Sequence, residues 1–147
     1  MADSSDEILD SELVMRRVPA KVPWYDPVRG LMSDAFRPDK TRDEDGLSVS
    51  RMRSEANSDF LTPEMSAKSG QSKDGYYFAI VSVQSLREVG MEIVAKPRDP
   101  EDPGHALIVS LRSVNRKSDE VAEWTQLLAE RLTIRVEGPY RKNLDTE

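Results

Sequence analysis

Tyr76-Tyr77-Phe78-Ala79-Ile80-Val81-Ser82-Val83 is a run of aromatic and β-branched residues, and it reads as a central strand buried on both faces. After Val83 the apolar period changes. Val83, Leu86 and Val89 fall at helical spacing, and Gly90 stands where a left-handed C-terminal cap is wanted. Met91 to Ala95 then predicts a second strand, which Pro97, Pro100 and Pro103 end in a charged loop. His105-Ala106-Leu107-Ile108-Val109-Ser110-Leu111 is a third strand. Ser118 and Asp119 start a helix whose face is Val121, Trp124, Leu127, Leu128 and Arg131, and Leu132 to Glu137 alternates as a fourth strand.

The order from residue 76 to 137 is therefore strand, helix, strand, strand, helix, strand, and the expectation is the split βαβ pattern of ferredoxin-like folds. Working back from Tyr76, Thr62-Pro63-Glu64-Met65 carries a capping hydroxyl, a proline at the first helical position and an acid in the first turn, so a short helix begins there. Leu47-Ser48-Val49-Ser50 alternates as a half-buried strand would. Ser50 is also placed to cap a helix through Arg51 to Asp59. Between Pro19 and Gly46, Pro19, Pro23, Pro27 and Pro38 exclude long regular elements. Asp26 and Pro27 predict a short helix with Val28, Leu31, Met32 and Ala35 on one side. Trp24, Tyr25 and Phe36 should pin this proline-rich half to the core. Leu13, Val14, Met15 and Val18 form a strand or the end of a helix begun near Asp6. The fold class expected is α+β.

A chain of 147 residues suits one domain. We expect a disordered acidic start over residues 1 to 11, a single domain over 12 to 140 and a flexible end over 141 to 147. Asp3, Asp6, Glu7, Asp10 and Glu12 carry −5 of the formal −6, and the remaining 22 acids against 21 bases leave −1. Without a basic excess, nucleic acid is not an expected partner. The absence of cysteine removes disulfide scaffolds, thiol nucleophiles and zinc ribbons. The first residues have no basic, apolar leader, and no run approaches the ~20 apolar residues of a membrane span, so a cytoplasmic protein is expected.

His105 is the only histidine, which rules out zinc sites built on several imidazoles and leaves it as the one candidate acid or base. Arg16, Arg17 and Arg37, with Arg51 and Arg53 nearby, are candidates to grip a phosphate or carboxylate, unless Asp26, Asp39, Asp43, Glu44 and Asp45 neutralise them. Ser48 and Ser50 project from one strand face. Trp24 and Tyr25 are candidate contacts for a protein partner. Asp99, Glu101 and Asp102 lack the spacing of a calcium loop and read, like Asp43 to Asp45, as a solvated turn. No phosphate loop, nucleophile elbow or dinucleotide fingerprint is present; no cofactor and no metal is expected.

Met15-Arg16-Arg17-Val18, Ala35-Phe36-Arg37-Pro38, Asp45-Gly46-Leu47-Ser48-Val49 and Gly104-His105-Ala106-Leu107-Ile108 resemble pieces of a group of small uncharacterised bacterial proteins. That resemblance implies a bacterial source and one domain, and no activity. Arg16 or Arg17 with Ser48-Val49-Ser50 is also similar to the arginine and Ser-x-Ser strands of ADP-ribosyltransferases, but the chain has no Glu-x-Glu or Gln-x-Glu, so the catalytic glutamate of that pattern is missing. The first expectation is an accessory or regulatory module that binds another protein. The alternative is a small enzyme or sensor for a nucleotide or other phosphorylated ligand.

Overall fold

The protein is described by a computed structural model over residues 7–55, 57–70 and 72–141. The strands are β1 (Leu13–Pro19), β2 (Tyr25–Asp26), β3 (Gly30–Leu31), β4 (Leu47–Arg51), β5 (Tyr76–Ser82), β6 (Ile93–Ala95), β7 (His105–Ile108) and β8 (Thr133–Tyr140). The α-helices are α1 (Pro63–Lys68), α2 (Val83–Glu88) and α3 (Asp119–Leu127). One antiparallel sheet has the order β6-β7-β4-β1-β5-β8, and β2 and β3 make a separate hairpin. The fold is α+β.

Side-chain chemistry sets the boundaries of these elements. Ser82 ends β5 by turning its hydroxyl to the backbone N–H of Ser85, capping α2, and Gly90 comes after that helix at φ +94°. Thr62 and Ser118 cap α1 and α3 in the same way, accepting from the N–H groups of Met65 and Val121. Past α3 the chain runs through a π-helical turn, Leu128–Leu132, before β8 begins.

The sheet does not take the split βαβ order. Strands β5 and β7 are not neighbours, because β1 and β4 from the proline-punctuated half lie between them. β1 pairs with β5 along its whole length, Leu13 opposite Ser82 and Pro19 opposite Tyr76, so the first half of the chain supplies two inner strands. A second correction falls at Asp26. Its carboxylate accepts from the N–H groups of Val28 and Arg29, and with Gly30 at φ +88° this closes the β2–β3 hairpin where a helix was expected. A four-residue 3-10 turn, Ser33–Phe36, comes next. No helix starts at Ser50 among the described residues.

The main core lies on the sheet face that carries Val14, Val18, Leu47, Val49, Ala79, Val81, Ala106 and Ile108. Phe36, Leu86, Val121 and Leu128 cover it, and Trp24 and Tyr25 pack against its margin. On the opposite face Met15, Phe78 and Ile80 form a smaller cluster with Ala67 of α1. Because α1 sits over β1 and β8, the hydroxyl-bearing face of β4 is left to a groove. Of the expected mobile start and tail, most lies outside the described residues; within them, Ile8 is buried in the main core. No helix among the described residues is long and apolar enough to cross a membrane.

Candidate functional site

The groove exists because two inner strands part. β1 and β4 are paired only at Val14–Arg51 and Met15–Ser50; beyond that point their backbones diverge. Arg16 bridges the gap. Its Nε donates to the carbonyl of Ala35 at 2.9 Å and a terminal nitrogen donates to the carbonyl of Ser48 at 2.9 Å. Burial lowers the Arg16 pKa, and Asp43 opposes that shift. Arg17, one residue on and so on the other face, donates to the Ser66 carbonyl and the Ser69 hydroxyl and lies over the ring of Tyr76.

The resulting cavity is about 850 Å³, and its wall includes Arg16, Arg17, Trp24, Arg37, Ser48, Ser50 and His105. His105, Arg16, Arg17, Arg37, Ser48 and Ser50 thus meet in one place, although they come from β1, the turn after Phe36, β4 and β7, whereas Arg51 and Arg53 do not line it. Tyr25 does not line it. That ring stacks on Tyr77 with centroids 3.9 Å apart, and Trp24 is half-buried, so both hold the hairpin to the body of the protein. A second hollow, of about 520 Å³, lies between Ile8 and Ile93, Val94, Ala95 and Pro97 and carries no titratable side chain.

Three further arginines, Arg42, Arg98 and Arg116, which no local signal in the sequence marks, also line the wall, as do the carboxylates of Asp34, Asp39, Asp43, Glu101 and Asp102. Arg116 donates to the Pro38 carbonyl. The side chains of Arg37, Arg42 and Arg98 have no hydrogen-bond or ion-pair partner among the described residues, and no carboxylate lies within ion-pairing distance of any of the six. The neutralisation allowed for from sequence is only partial: Asp39 and Asp43 line the same wall and favour the charged form of Arg16, but neither forms an ion pair with it. Asp39 instead accepts from the N–H groups of Thr41 and Arg42, which hold its carboxyl below the ordinary range. Asp43 is buried rather than solvated, accepting from the Asp39 N–H at 2.5 Å.

Asp102 also departs from the solvated turn expected. Residues 98 and 102 exchange backbone hydrogen bonds, which curls the acidic loop back onto β4 and brings one Asp102 oxygen to 2.6 Å from the Ser50 hydroxyl. The other oxygen, Oδ1, is buried without a partner among the described residues. Only the pairing of Ser50 with His105 makes this contact foreseeable, because it sets the loop before β7 beside the end of β4.

His105 is 4% exposed. Its Nδ1 lies 2.9 Å from the carbonyl oxygen of Lys96 and its Nε2 3.1 Å from the Ser48 hydroxyl. Burial lowers its pKa, which the Lys96 hydrogen bond opposes; Arg98 lowers it further and Asp102 raises it. The unfolded chain thus takes up a proton near the ordinary value of 6.5 while the folded protein does not. Stability from this residue is complete above 6.5 and is lost as pH falls from there through the lower folded value. In urea titrations between pH 7.5 and 5.5 we expect the wild-type midpoint to fall with pH and that of His105→Gln to fall less. Equal slopes would show that His105 is not held neutral.

No group of three or more histidine, aspartate or glutamate side chains is placed to hold a metal ion among the described residues. Comparison with protein-family models, curated proteins and solved structures finds no match to the chain.

Proposed function

We propose that the groove binds a phosphorylated small molecule, a nucleotide or a ligand of similar charge. One observation carries this reading: six arginines line a single cavity and, although Asp34, Asp39, Asp43, Glu101 and Asp102 line it too, none of the six is ion-paired with a carboxylate among the described residues. Guanidinium groups without partners, beside the hydroxyls of Ser48 and Ser50, are suited to the bidentate, charge-assisted hydrogen bonds that phosphate oxygens accept. A cavity of about 850 Å³ has room for a nucleotide. Trp24 adds an aromatic surface at the same wall.

Thermal denaturation with a panel of nucleoside phosphates, sugar phosphates, pyrophosphate and NAD tests it. NAD belongs in the panel because the two pieces similar to ADP-ribosyltransferases, on β1 and β4, both line the cavity. A ligand present at 100 times its dissociation constant adds about 2.7 kcal/mol, enough to raise the melting temperature by several degrees. Arg37→Ala and Arg98→Ala should each weaken binding about tenfold or more, the value of one charged hydrogen bond. A panel with no shift at low salt removes the proposal.

A second reading, docking of another protein, draws on the hairpin. Val22 and Val28 are 61% and 93% exposed beside Trp24 and Tyr25, the kind of apolar side chains that contact partners. Failure to recover any stoichiometric partner from a native lysate counts against it.

A further inference from the structure

Ser48, His105 and the Lys96 carbonyl form one hydrogen-bonded line at the wall of the groove. A carbonyl oxygen only accepts, so Nδ1 carries the ring proton, and the Nε2 lone pair is left to accept from the Ser48 hydroxyl. The backbone holds this arrangement from both sides. Ser48 pairs with Leu107 and Ser50 with His105 across β4 and β7, and the Lys96 N–H donates to the His105 carbonyl at 2.8 Å. A base oriented by a third group, with its free lone pair on a serine hydroxyl, is the arrangement that activates a nucleophile. Ser50, two residues away on the same face, gives its hydroxyl to Asp102 instead. Ser48 is therefore the serine aimed at the imidazole.

We propose that Ser48 is a nucleophile and His105 its general base, and that the pair transfers the phosphoryl group of a phosphomonoester held by the groove arginines. This rests on the phosphorylated-ligand reading above and adds a reaction to it. Ser48 Oγ attacks phosphorus, the bond from phosphorus to the ester oxygen breaks, and the hydroxyl proton passes through His105 Nε2 to the departing alcohol. The products are phosphoserine and the free alcohol. Water then attacks the phosphoserine phosphorus and gives a proton to Nε2; the Oγ–phosphorus bond breaks, Oγ recovers that proton, and inorganic phosphate leaves. Water is the only co-reactant. Arg37 and Arg98, whose donors are uncommitted, bind the oxygens on which charge accumulates.

The test treats the full chain with a fluorophosphonate, a reagent that phosphonylates activated serines with loss of fluoride, and locates the adduct by mass spectrometry. One adduct on Ser48 is expected, with none on that peptide in Ser48→Ala and labelling at least a hundredfold slower in His105→Gln, the usual contribution of a general base. p-Nitrophenyl phosphate hydrolysis should fall in parallel. If His105→Gln does not fold, the wild-type pH profile decides instead: the labelling rate must rise through a transition below 6.5, the ordinary histidine value. Unlabelled Ser48, or labelling independent of pH across that range, overturns the proposal. The same samples are tested for thermal shifts. Shifts without labelling remove the nucleophile and leave the binding reading, whereas labelling without any shift removes the phosphorylated substrate and the binding reading together.

Discussion

Replacing Glu12 by alanine is expected to destabilise the protein by about 3 to 5 kcal/mol, the cost of leaving a buried charge without its counter-ion. Arg51 is 3% exposed and its fork meets both Glu12 oxygens at 2.8 Å. The same guanidinium donates to the Glu7 carbonyl and lies over the ring of Phe60. Most of the cost comes from Arg51 remaining in place, so Glu12→Leu combined with Arg51→Met should recover part of it; chemical denaturation of the two variants makes the comparison. A loss below about 1 kcal/mol for Glu12→Ala would mean that the pair behaves like an exposed one. Acid should imitate the substitution. Burial raises the Glu12 pKa, but the hydrogen bonds from Arg51 and Leu9 and the nearby Arg87 bring it below its ordinary 4.5. The stabilisation is complete above 4.5 and is lost as pH falls from there through the lower folded value, a window that opens at lower pH than the one set by His105.

Phe36→Ala should cost a similar amount, about 3 to 5 kcal/mol. Phe36 is fully buried in the main core, at the end of the 3-10 turn that packs against α3. It therefore fastens the proline-punctuated half of the chain beneath the sheet. Phe36→Leu, which leaves a smaller void, should cost clearly less. Intrinsic tryptophan fluorescence in urea gives the readout. Trp24 lies in the fastened segment, and Trp124, whose indole N–H donates to the Val89 carbonyl, lies on α3, so one cooperative transition in both variants is expected. Loss of Phe36 with no change in midpoint would mean that this side chain does not fasten the segment to the core.

The features legible in the sequence were local ones. The apolar run at Tyr76, the helical spacing from Val83 to Val89, the glycine after it and the capping hydroxyls of Thr62 and Ser118 act within a few residues, and each corresponds to an element of the structure. The placement of β1 and β4 between β5 and β7 depends on pairing between residues far apart in the chain, which no window of sequence contains. Asp26 shows how two local signals compete. An aspartate before a proline suits both a helix start and a tight turn, and Gly30 decided for the turn. The candidate site divides in the same way. Residue type alone was enough to select His105, the early arginines and the Ser-x-Ser strand. Arg98, Asp102 and Arg116 reach the groove only because a curled loop and a distant turn return to it.

Arg16 acts as a spacer. Where a continued β1–β4 ladder would hold the strands at a fixed distance, here a guanidinium on a flexible stem spans the opening and grips the Ser48 carbonyl. Backbone rungs are the same for every residue, but a side-chain rung is specified by one codon. The aperture of the cavity therefore depends on a single side chain, and the shorter reach of Arg16→Lys would draw β4 inward or release the Ser48 carbonyl.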